Sequence, residues 1–394
     1  MVQFLLANPH SHHCFFTYKA LRKYGDVILL CPPLQIQLII RYWKNPWFLP
    51  VSANPRILFF QLYGIFYYIL FRLKFVGEGG YVSVVNFCCK QIIQSQRALI
   101  WFHYQDYLSI PEELRKRIKV DICELIIAFK EDSANRVSSL SAVAKSDIVV
   151  VPSDSVLECV KDVSLDVFKA PYGGDKTSYI NSFYLPRIKT QLKKRASNSR
   201  KSDLINGKFV IAARANTFRK GADVLIGALR QIQNIQFPLG YESLEVKICG
   251  AVQDLKLLTD IHMINADIKN IGIPLKITAC QYSQSALRSL FLEADLFVMP
   301  SRLEGSSYAA LEALWCGLPA VLTKECGVET FSSGRHGVLL LENSSVALAE
   351  VIRSILLNPT ALIQWRQALI QDHSIFTWQT YVDSFKFLVN SISD

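Results

Sequence analysis

Pro300-Ser301-Arg302-Leu303-Glu304-Gly305-Ser306-Ser307-Tyr308-Ala309-Ala310-Leu311-Glu312 joins an apolar run to a helical pattern and carries two carboxylates eight positions apart. The preceding Asp295-Leu296-Phe297-Val298-Met299 reads as a buried strand. The following Tyr308–Trp315 reads as a helix, stopped by Gly317 and Pro319. Ser306 and Ser307 are suitable N-caps. A strand that feeds a capped helix through Glu-Gly-Ser-Ser presents backbone N–H groups at the positive end of the helix, which suits a phosphate. Glu304 and Glu312 flank that point with the acceptors that sugar hydroxyls need.

Outward from this stretch the same alternation recurs. Upstream in the same half, Phe209–Ala213 reads as a strand, Gly221–Gln233 as a helix and Leu244–Cys249 as a strand. Leu275–Thr278, Ala286–Glu293 and Leu296–Met299 follow, with Ala320–Thr323 beyond the glutamate helix. In the first half, Val2–Ala7, the helix Cys14–Lys23 and Asp26–Cys31 form a βαβ unit. Residues 34–76 are expected to be helical, broken near Pro46 and Pro50, whereas Tyr81–Phe87, Ala98–Phe102 and Ile148–Val151 read as strands. Arg187 to Asn206 is polar, basic and aperiodic, the natural linker. Phe376 through Ile392 reads as a final amphipathic helix. The fold class is therefore α/β: two Rossmann-like, doubly wound domains expected to face a central cleft, with ligands at the carboxyl ends of the strands.

Composition narrows the class. At 394 residues two domains are the default, and with 51% hydrophobic and 19% charged residues a large core is available. The net charge is +10, but seven basic residues and no acid lie in Arg187–Lys201, which leaves +3 for the rest. That is one basic segment, not a nucleic-acid footprint. Ten scattered cysteines without Cys-x-x-Cys suit buried thiols in a reducing cytosol and argue against structural zinc. Met1–Pro9 has no basic region and too short an apolar core for a signal peptide. Ile57–Phe71 is uncharged and flanked by Arg56, Arg72 and Lys74. Its fifteen residues fall short of the roughly 20 that span a bilayer. A core helix is the favoured reading; a helix lying in a membrane interface, with Tyr63, Tyr67 and Tyr68 near the headgroups, is the sharper one.

A second group stands beside the glutamates. Arg214 follows the first strand of the second half, and Lys220 lies six residues on, where the next helix starts. Both project from one βα loop. A guanidinium fork and a point charge together match a diphosphate, although any single Arg or Lys is more often a solvated loop charge.

With these motifs the chain resembles the family-4 retaining glycosyltransferases of the GT-B fold (glycosyl transferases group 1). The C-terminal pieces of the resemblance are Arg214/Lys220, Ile248-Cys249-Gly250, Ala294–Ser301, Glu304-x7-Glu312, Cys316–Val321, Gly334–Leu340 and Phe376-Thr377-Trp378. Trp101-Phe102-His103, Ser146–Ser153 and Tyr172-Gly173-Gly174-Asp175 are its weaker N-terminal pieces. The resemblance implies an N-terminal acceptor-binding domain (1–186), a linker (187–207), a nucleotide-sugar-binding domain (208–375) and a C-terminal helix (376–394) crossing back to the N-terminal domain. It gives Glu304 the donor-sugar hydroxyls, Glu312 the ribose hydroxyls, and Arg214 and Lys220 the departing diphosphate. The backbone of Gly305, Ser306 and Ser307 would touch sugar and phosphate, the loop near Ala279-Cys280-Gln281, with Cys280 in the donor site, would hold the base, and His103 would face the donor sugar. Ser11 belongs to the first N-terminal loop, where His10-Ser11-His12-His13 replaces the family's usual glycine pair.

The activity so implied is transfer of a hexose, with retention, from a nucleoside-diphosphate sugar to a glycan or lipid-linked acceptor, in surface polysaccharide or glycolipid synthesis. No cofactor or metal is expected, since the chain has no Asp-x-Asp motif. The expected setting is cytoplasmic, peripheral on the inner, anionic face of a membrane, with no nucleic-acid partner. A sugar-nucleotide-binding protein without turnover and a GT-B epimerase or phosphorylase are the alternatives. Ser306-Ser307 stands where family members often carry Phe-Gly, which marks it as the place where sugar preference is set.

Overall fold

A computed structural model gives the fold and describes residues 2–7, 14–32, 35–36, 54–96, 99–104, 111–125, 143–163, 166–174, 207–232, 241–252, 254–267 and 275–393. Its contacts divide the chain into two units, Met1–Ala170 with Tyr381–Asp394, and Pro171–Thr380. The basic segment 187–206 lies outside the described residues, and Gly207 already opens a strand.

In the first unit, β1 (Val2–Ala7), β2 (Gly25–Leu30), β3 (Leu99–Tyr104), β4 (Ile118–Glu124), β5 (Ile148–Val151) and β6 (Asp166–Lys169) form a parallel sheet in the order β2-β1-β3-β4-β5-β6. The helices are α1 (Cys14–Leu21), α2 (Pro55–Arg72), α3 (Glu78–Ser95) and the short α4 (Glu112–Arg115) and α5 (Asp154–Leu157). The chain order reverses between β1 and β3, and Ala7 at the end of β1 is the register partner of His103. The loop after β1, with Ser11, lies outside the described residues.

One expectation fails here. Tyr81–Phe87 belongs to α3, not to a strand. Its valines favour a pleated surface locally, but Tyr81, Val85, Cys88, Cys89, Ile92 and Ile93 are buried at helical spacing. A continuous apolar face over four turns outweighs a short β-branched run. Helix α2 begins at the N-cap Asn54, whose side chain accepts from the Arg56 and Ile57 amides. It buries Ile57, Phe60, Gln61 and Gly64, while Gln61 donates to the Leu29 carbonyl at 2.8 Å. It is thus a core helix along one face only. Tyr63, Tyr67 and Tyr68 pack against the hydrophobic core rather than outward, so the tyrosines do not form the exposed face.

The second unit repeats the architecture. Its sheet is made of β7 (Gly207–Ala213), β8 (Tyr241–Cys249), β9 (Leu275–Cys280), β10 (Leu296–Met299), β11 (Ala320–Thr323) and β12 (Gly337–Leu340), all parallel, in the order β12-β11-β10-β7-β8-β9. The helices are α6 (Ala222–Ile232), α7 (Leu255–Asp267), α8 (Gln284–Glu293), α9 (Tyr308–Trp315), α10 (Ser345–Leu357), α11 (Thr360–Gln371) and α12 (Trp378–Ser393). Strand β10 is buried at all four positions, as a parallel strand covered on both faces must be. His336, almost fully buried, accepts the Ser332 amide on Nδ1 at 3.0 Å, which leaves Nε2 to bond Asp372 at 2.8 Å. Arg335 also grips Asp372 and, with His336, holds its carboxyl well below the usual carboxylate range.

Helix α12 runs across the division of the chain, and its residues from Tyr381 onward count with the first unit. There the Tyr381 hydroxyl meets Thr17 Oγ1 at 2.9 Å and donates to Glu124 Oε1 at 3.0 Å, in a fully buried setting. A buried carboxylate depends on such donors. Replacing Tyr381 with Phe should cost about 1–3 kcal/mol. The expected readout is a Tm lowered by several degrees with unchanged far-UV circular dichroism; an unchanged Tm would show that the triad does not hold the helix.

Candidate active site

The sheet of the second unit changes winding direction between β7 and β10. In open parallel sheets the crevice outside such a point receives ligands. Both loops singled out above leave from it. Leu296, Phe297 and Val298 pair with Ile211, Ala212 and Ala213, and the Arg214 amide donates to the Val298 carbonyl at 3.1 Å. Gly221, at φ +73, ends the first loop against the second: a Cβ there would lie 1.9 Å from the Pro300 oxygen. No other residue type fits that position without moving a backbone.

Polar contacts fasten the two loops together. Arg302 donates its amide to Arg219 O at 2.9 Å, and Ser301 Oγ reaches the same carbonyl at 3.2 Å. The Arg302 guanidinium forks onto both carboxylate oxygens of Asp223 at 2.7 Å and lies 4.1 Å over the Phe218 ring. Arg219 returns the grip, donating to Leu303 O at 2.6 Å. Glu304 is held from the far side by its own amide, which donates to Glu325 O at 2.9 Å.

The charges converge on Glu304. Its Oε1 lies 3.0 Å from Arg219 Nη1 and 3.2 Å from Lys220 Nζ. Two cations thus share one carboxylate oxygen. Burial pushes the Lys220 pKa down; Glu304 opposes that shift, whereas Arg214 and Arg219 reinforce it. A lysine held among two arginines and one carboxylate in a half-closed site is poised to accept another anion. Arg214 donates to the Cys249 carbonyl across the neighbouring strand end, and Asn216 to the Ala251 carbonyl at 2.9 Å. Gly250 makes room, since a Cβ there would sit 2.4 Å from Arg214 Nη1.

Helix α9 supplies the rest. Its N-cap is Ser307, whose Oγ accepts from the Ala310 amide. The Ser307 amide is already engaged by Cys326 O at 2.8 Å, so Ser307 shapes the helix end and offers no backbone donor to a ligand. Tyr308, the first helical residue, stacks on Tyr172 at 5.4 Å and on Trp378 at 5.9 Å. The Tyr-Gly-Gly and Phe-Thr-Trp motifs, distant in sequence, therefore meet at the start of the glutamate helix.

Arg214, Lys220, Glu304, Ser306, Ser307 and Glu312 all line one cavity of about 890 Å³ within the second unit. Gly305 is buried in the loop between Glu304 and Ser306. Cys280 does not line the cavity; the wall there is Cys249, Gln281 and Tyr282. Strand β9 is the edge of the sheet, which leaves the Cys280 side chain exposed, and its carbonyl is taken by the Gly250 amide at 2.9 Å. His103 sits near the C-terminal end of β3 in the first unit. Arg219 is the residue the sequence reading missed. The cue was present: Arg214, Arg219 and Lys220 place three cations in seven residues.

Such a cavity, with cations at a helix N-terminus and carboxylates to either side, has the chemistry and size for a nucleoside-diphosphate sugar. The chain is also similar to known proteins. Residues 194–372 match the family "Glycosyl transferases group 1". A D-inositol 3-phosphate glycosyltransferase of Catenulispora acidiphila is 29% identical over 166 residues, 42% of this chain and 39% of the relative. A GDP-mannose-dependent alpha-(1-6)-phosphatidylinositol dimannoside mannosyltransferase of Mycobacterium tuberculosis is 30% identical over 28% of each chain. This chain thus matches about two-fifths or less of the length of these relatives. The structure of a UDP-forming alpha,alpha-trehalose-phosphate synthase from Burkholderia vietnamiensis superposes with a TM-score of 0.62 over 99% of this chain and 100% of that one. At 14% identity, that likeness shows the fold. Residues 194–372 thus carry the likeness to the glycosyl transferases group 1, on a chain with the GT-B fold.

Proposed function

We propose that this protein is a retaining glycosyltransferase that moves a hexose from a nucleoside-diphosphate sugar to a glycan or lipid-linked acceptor, in the synthesis of surface polysaccharide or glycolipid at the inner face of a membrane. The observation that carries the proposal is the gathering of Arg214, Lys220, Glu304 and Glu312 around one cavity at the switch point of the sheet, with Arg219 paired to Glu304 behind them.

In this reading the diphosphate lies between Arg214, Lys220 and the first turn of α9, and Glu312 takes the ribose hydroxyls. Glu304 takes hydroxyls of the sugar. The bond from the anomeric carbon to the diphosphate oxygen breaks while the acceptor oxygen bonds the same face of that carbon. The acceptor proton passes to the departing phosphate. Negative charge grows on that phosphate in the transition state, and fixed cations and helix N–H groups lower its energy without having to reorganise. These groups neutralise the leaving diphosphate by themselves, so the proposal needs no resident metal. Before the donor arrives, Lys220 and Glu304 neutralise each other; the diphosphate then competes for the lysine and frees the carboxylate for the sugar. The relatives' names include a GDP-mannose-dependent enzyme and a D-inositol 3-phosphate glycosyltransferase, which makes GDP-mannose and inositol phosphates the first compounds to test.

Three outcomes check this. In a thermal-shift panel of sugar nucleotides, the true donor should raise the Tm, because it binds only the folded state. Lys220→Ala and Glu304→Ala should each lower kcat/KM by roughly 10²–10³-fold while the fold is kept, by analogy with the loss of one transition-state donor. Full activity in both variants sinks the proposal. Formation of an epimer of the donor without added acceptor would move the protein to the epimerase class.

A third outcome concerns pH. Lys220 must be protonated to meet a diphosphate, and burial lowers its pKa. Donor affinity should therefore fall as pH rises through a value below the ordinary lysine pKa of about 10.4. Stability should move the other way. An unfolded chain with an ordinary lysine holds more protons in that window, so this group's contribution to stability rises with pH there. Donor KM and urea midpoints measured across the alkaline range in wild type and Lys220→Met check both signs.

A further inference from the structure

Helix α2 carries a second surface with no role in the donor site. Phe59, Leu62, Phe66 and Ile69 are exposed along it, and Leu73 and Phe75 continue the line beyond its end. The steps between the first five are three, four, three and four residues, which is one face of a helix. Phe66 is 54% and Phe75 76% exposed. Phe87 on α3 is exposed as well and lies edge-on to Phe60, 6.1 Å away, so the patch widens onto the neighbouring helix. Scattered exposed apolar residues are ordinary; a contiguous stripe of large ones marks an interaction surface.

We propose that this face of α2 seats the N-terminal unit on an anionic lipid bilayer. The charges choose the occupant. Helix α2 contains no acidic residue. Arg56 stands exposed at its start, and Arg72 and Lys74 at its end. The acid nearest in sequence, Glu78, opens the next helix. Cations at both ends of an apolar stripe match phosphate headgroups above an acyl layer. A second copy of the helix is a poorer match, because the charges bordering the stripe, Arg56, Arg72 and Lys74, are all cationic and two copies would set like charges against each other. No single described helix is long and apolar enough to cross a membrane, and the other face of α2 is committed to the core, so the helix lies flat.

The end of α2 supports the same occupant. Lys74 adopts φ +63, a conformation that favours glycine. The Phe75 amide reaches back to Leu70 O at 2.9 Å and the Lys74 amide to Phe71 O at 3.0 Å, closing a Schellman turn. Lysine there sets a cation between two exposed apolar side chains, Leu73 and Phe75, where glycine would relieve the strain. A lysine stem laid along acyl chains with its ammonium at the headgroups fits that place.

The surface rests on the proposed lipid-linked acceptor for its purpose only, and the experiment separates the two. The full chain is sedimented with phosphatidylcholine vesicles, with and without phosphatidylglycerol. Binding is expected to the anionic vesicles and to weaken with salt. Leu62→Ser with Phe66→Ser should weaken it by at least roughly tenfold. Lys74→Gly removes a cation while relieving the backbone, so it should bind about fivefold more weakly with an equal or higher Tm. Glu304→Ala, lacking transfer activity, should bind vesicles like the wild type. Absence of binding to anionic vesicles, or unchanged binding in the α2 variants, overturns the proposal. So does a dimer in analytical ultracentrifugation that Leu62→Ser/Phe66→Ser dissociates without changing vesicle binding, which would assign the face to a second copy.

Discussion

The pairing of β7 with β10 is the constraint on which the donor site depends. Three register partners and the Arg214–Val298 backbone bond fix where both strands end. Most of the charge at the cavity is referred to those two ends. From β7 come Arg214 and Lys220, with Arg219 beside them; from β10 come Glu304 and the start of the helix that carries Glu312; Asp254, after β8, is the exception. The close contact of Gly221 with the Pro300 carbonyl removes the remaining slack between the loops. The arginine–aspartate fork of Arg302 and Asp223 then braces them from the solvent side. A site held by backbone registry loses little order when the ligand arrives, which is what electrostatic preorganisation requires.

Within this frame the motifs divide into those that meet the ligand space and those that aim the others. Lys220, Glu304 and Glu312 line the cavity. Ser307 lines it too, but spends its amide on the Cys326 carbonyl and its hydroxyl on capping α9. Tyr172 and Trp378 stack on Tyr308 and fix the orientation of the first turn. His336, despite its place in a recognisable motif, is a buried joint between Ser332 and Asp372. The two units also differ in what they show to solvent. The second gathers charge in a cavity, and the first presents an apolar helix face bordered by cations.

Much of this was legible in the sequence because parallel strands announce themselves. Leu296–Met299 and Ile148–Val151 are short, wholly apolar runs bounded by turn residues, and both are strands. Arg214, Lys220, Glu304 and Glu312 could be named because their spacing from strand ends and helix starts leaves little choice of direction. Tyr81–Phe87 was misread because seven residues of β-branched and aromatic character cannot reveal a period of 3.6 carried by the next six. Of the loop near Ala279-Cys280-Gln281, Gln281 lines the cavity and Cys280 does not; the sequence does not say that its strand is an edge. The core-helix reading of α2 holds for one face, but only its interfacial alternative turns the tyrosines outward, and a helix with aromatic residues on every side does not say in sequence which side meets the core.

The sequence by itself determined the α/β alternation, the capped helix after Glu304 and the pairing of cations with carboxylates, since these follow from residue type at short range. Only the tertiary structure decided the strand order, and with it the adjacency of β7 and β10. Only it showed that Arg219 joins Lys220 on the same carboxylate oxygen, and that α2 turns Phe59 and Phe66 rather than its tyrosines to solvent. The reason is physical. Local propensity and hydrogen bonding act over a few residues, whereas ion pairs and burial are set by neighbours that are far apart in the chain and brought together only when both faces of a sheet are covered.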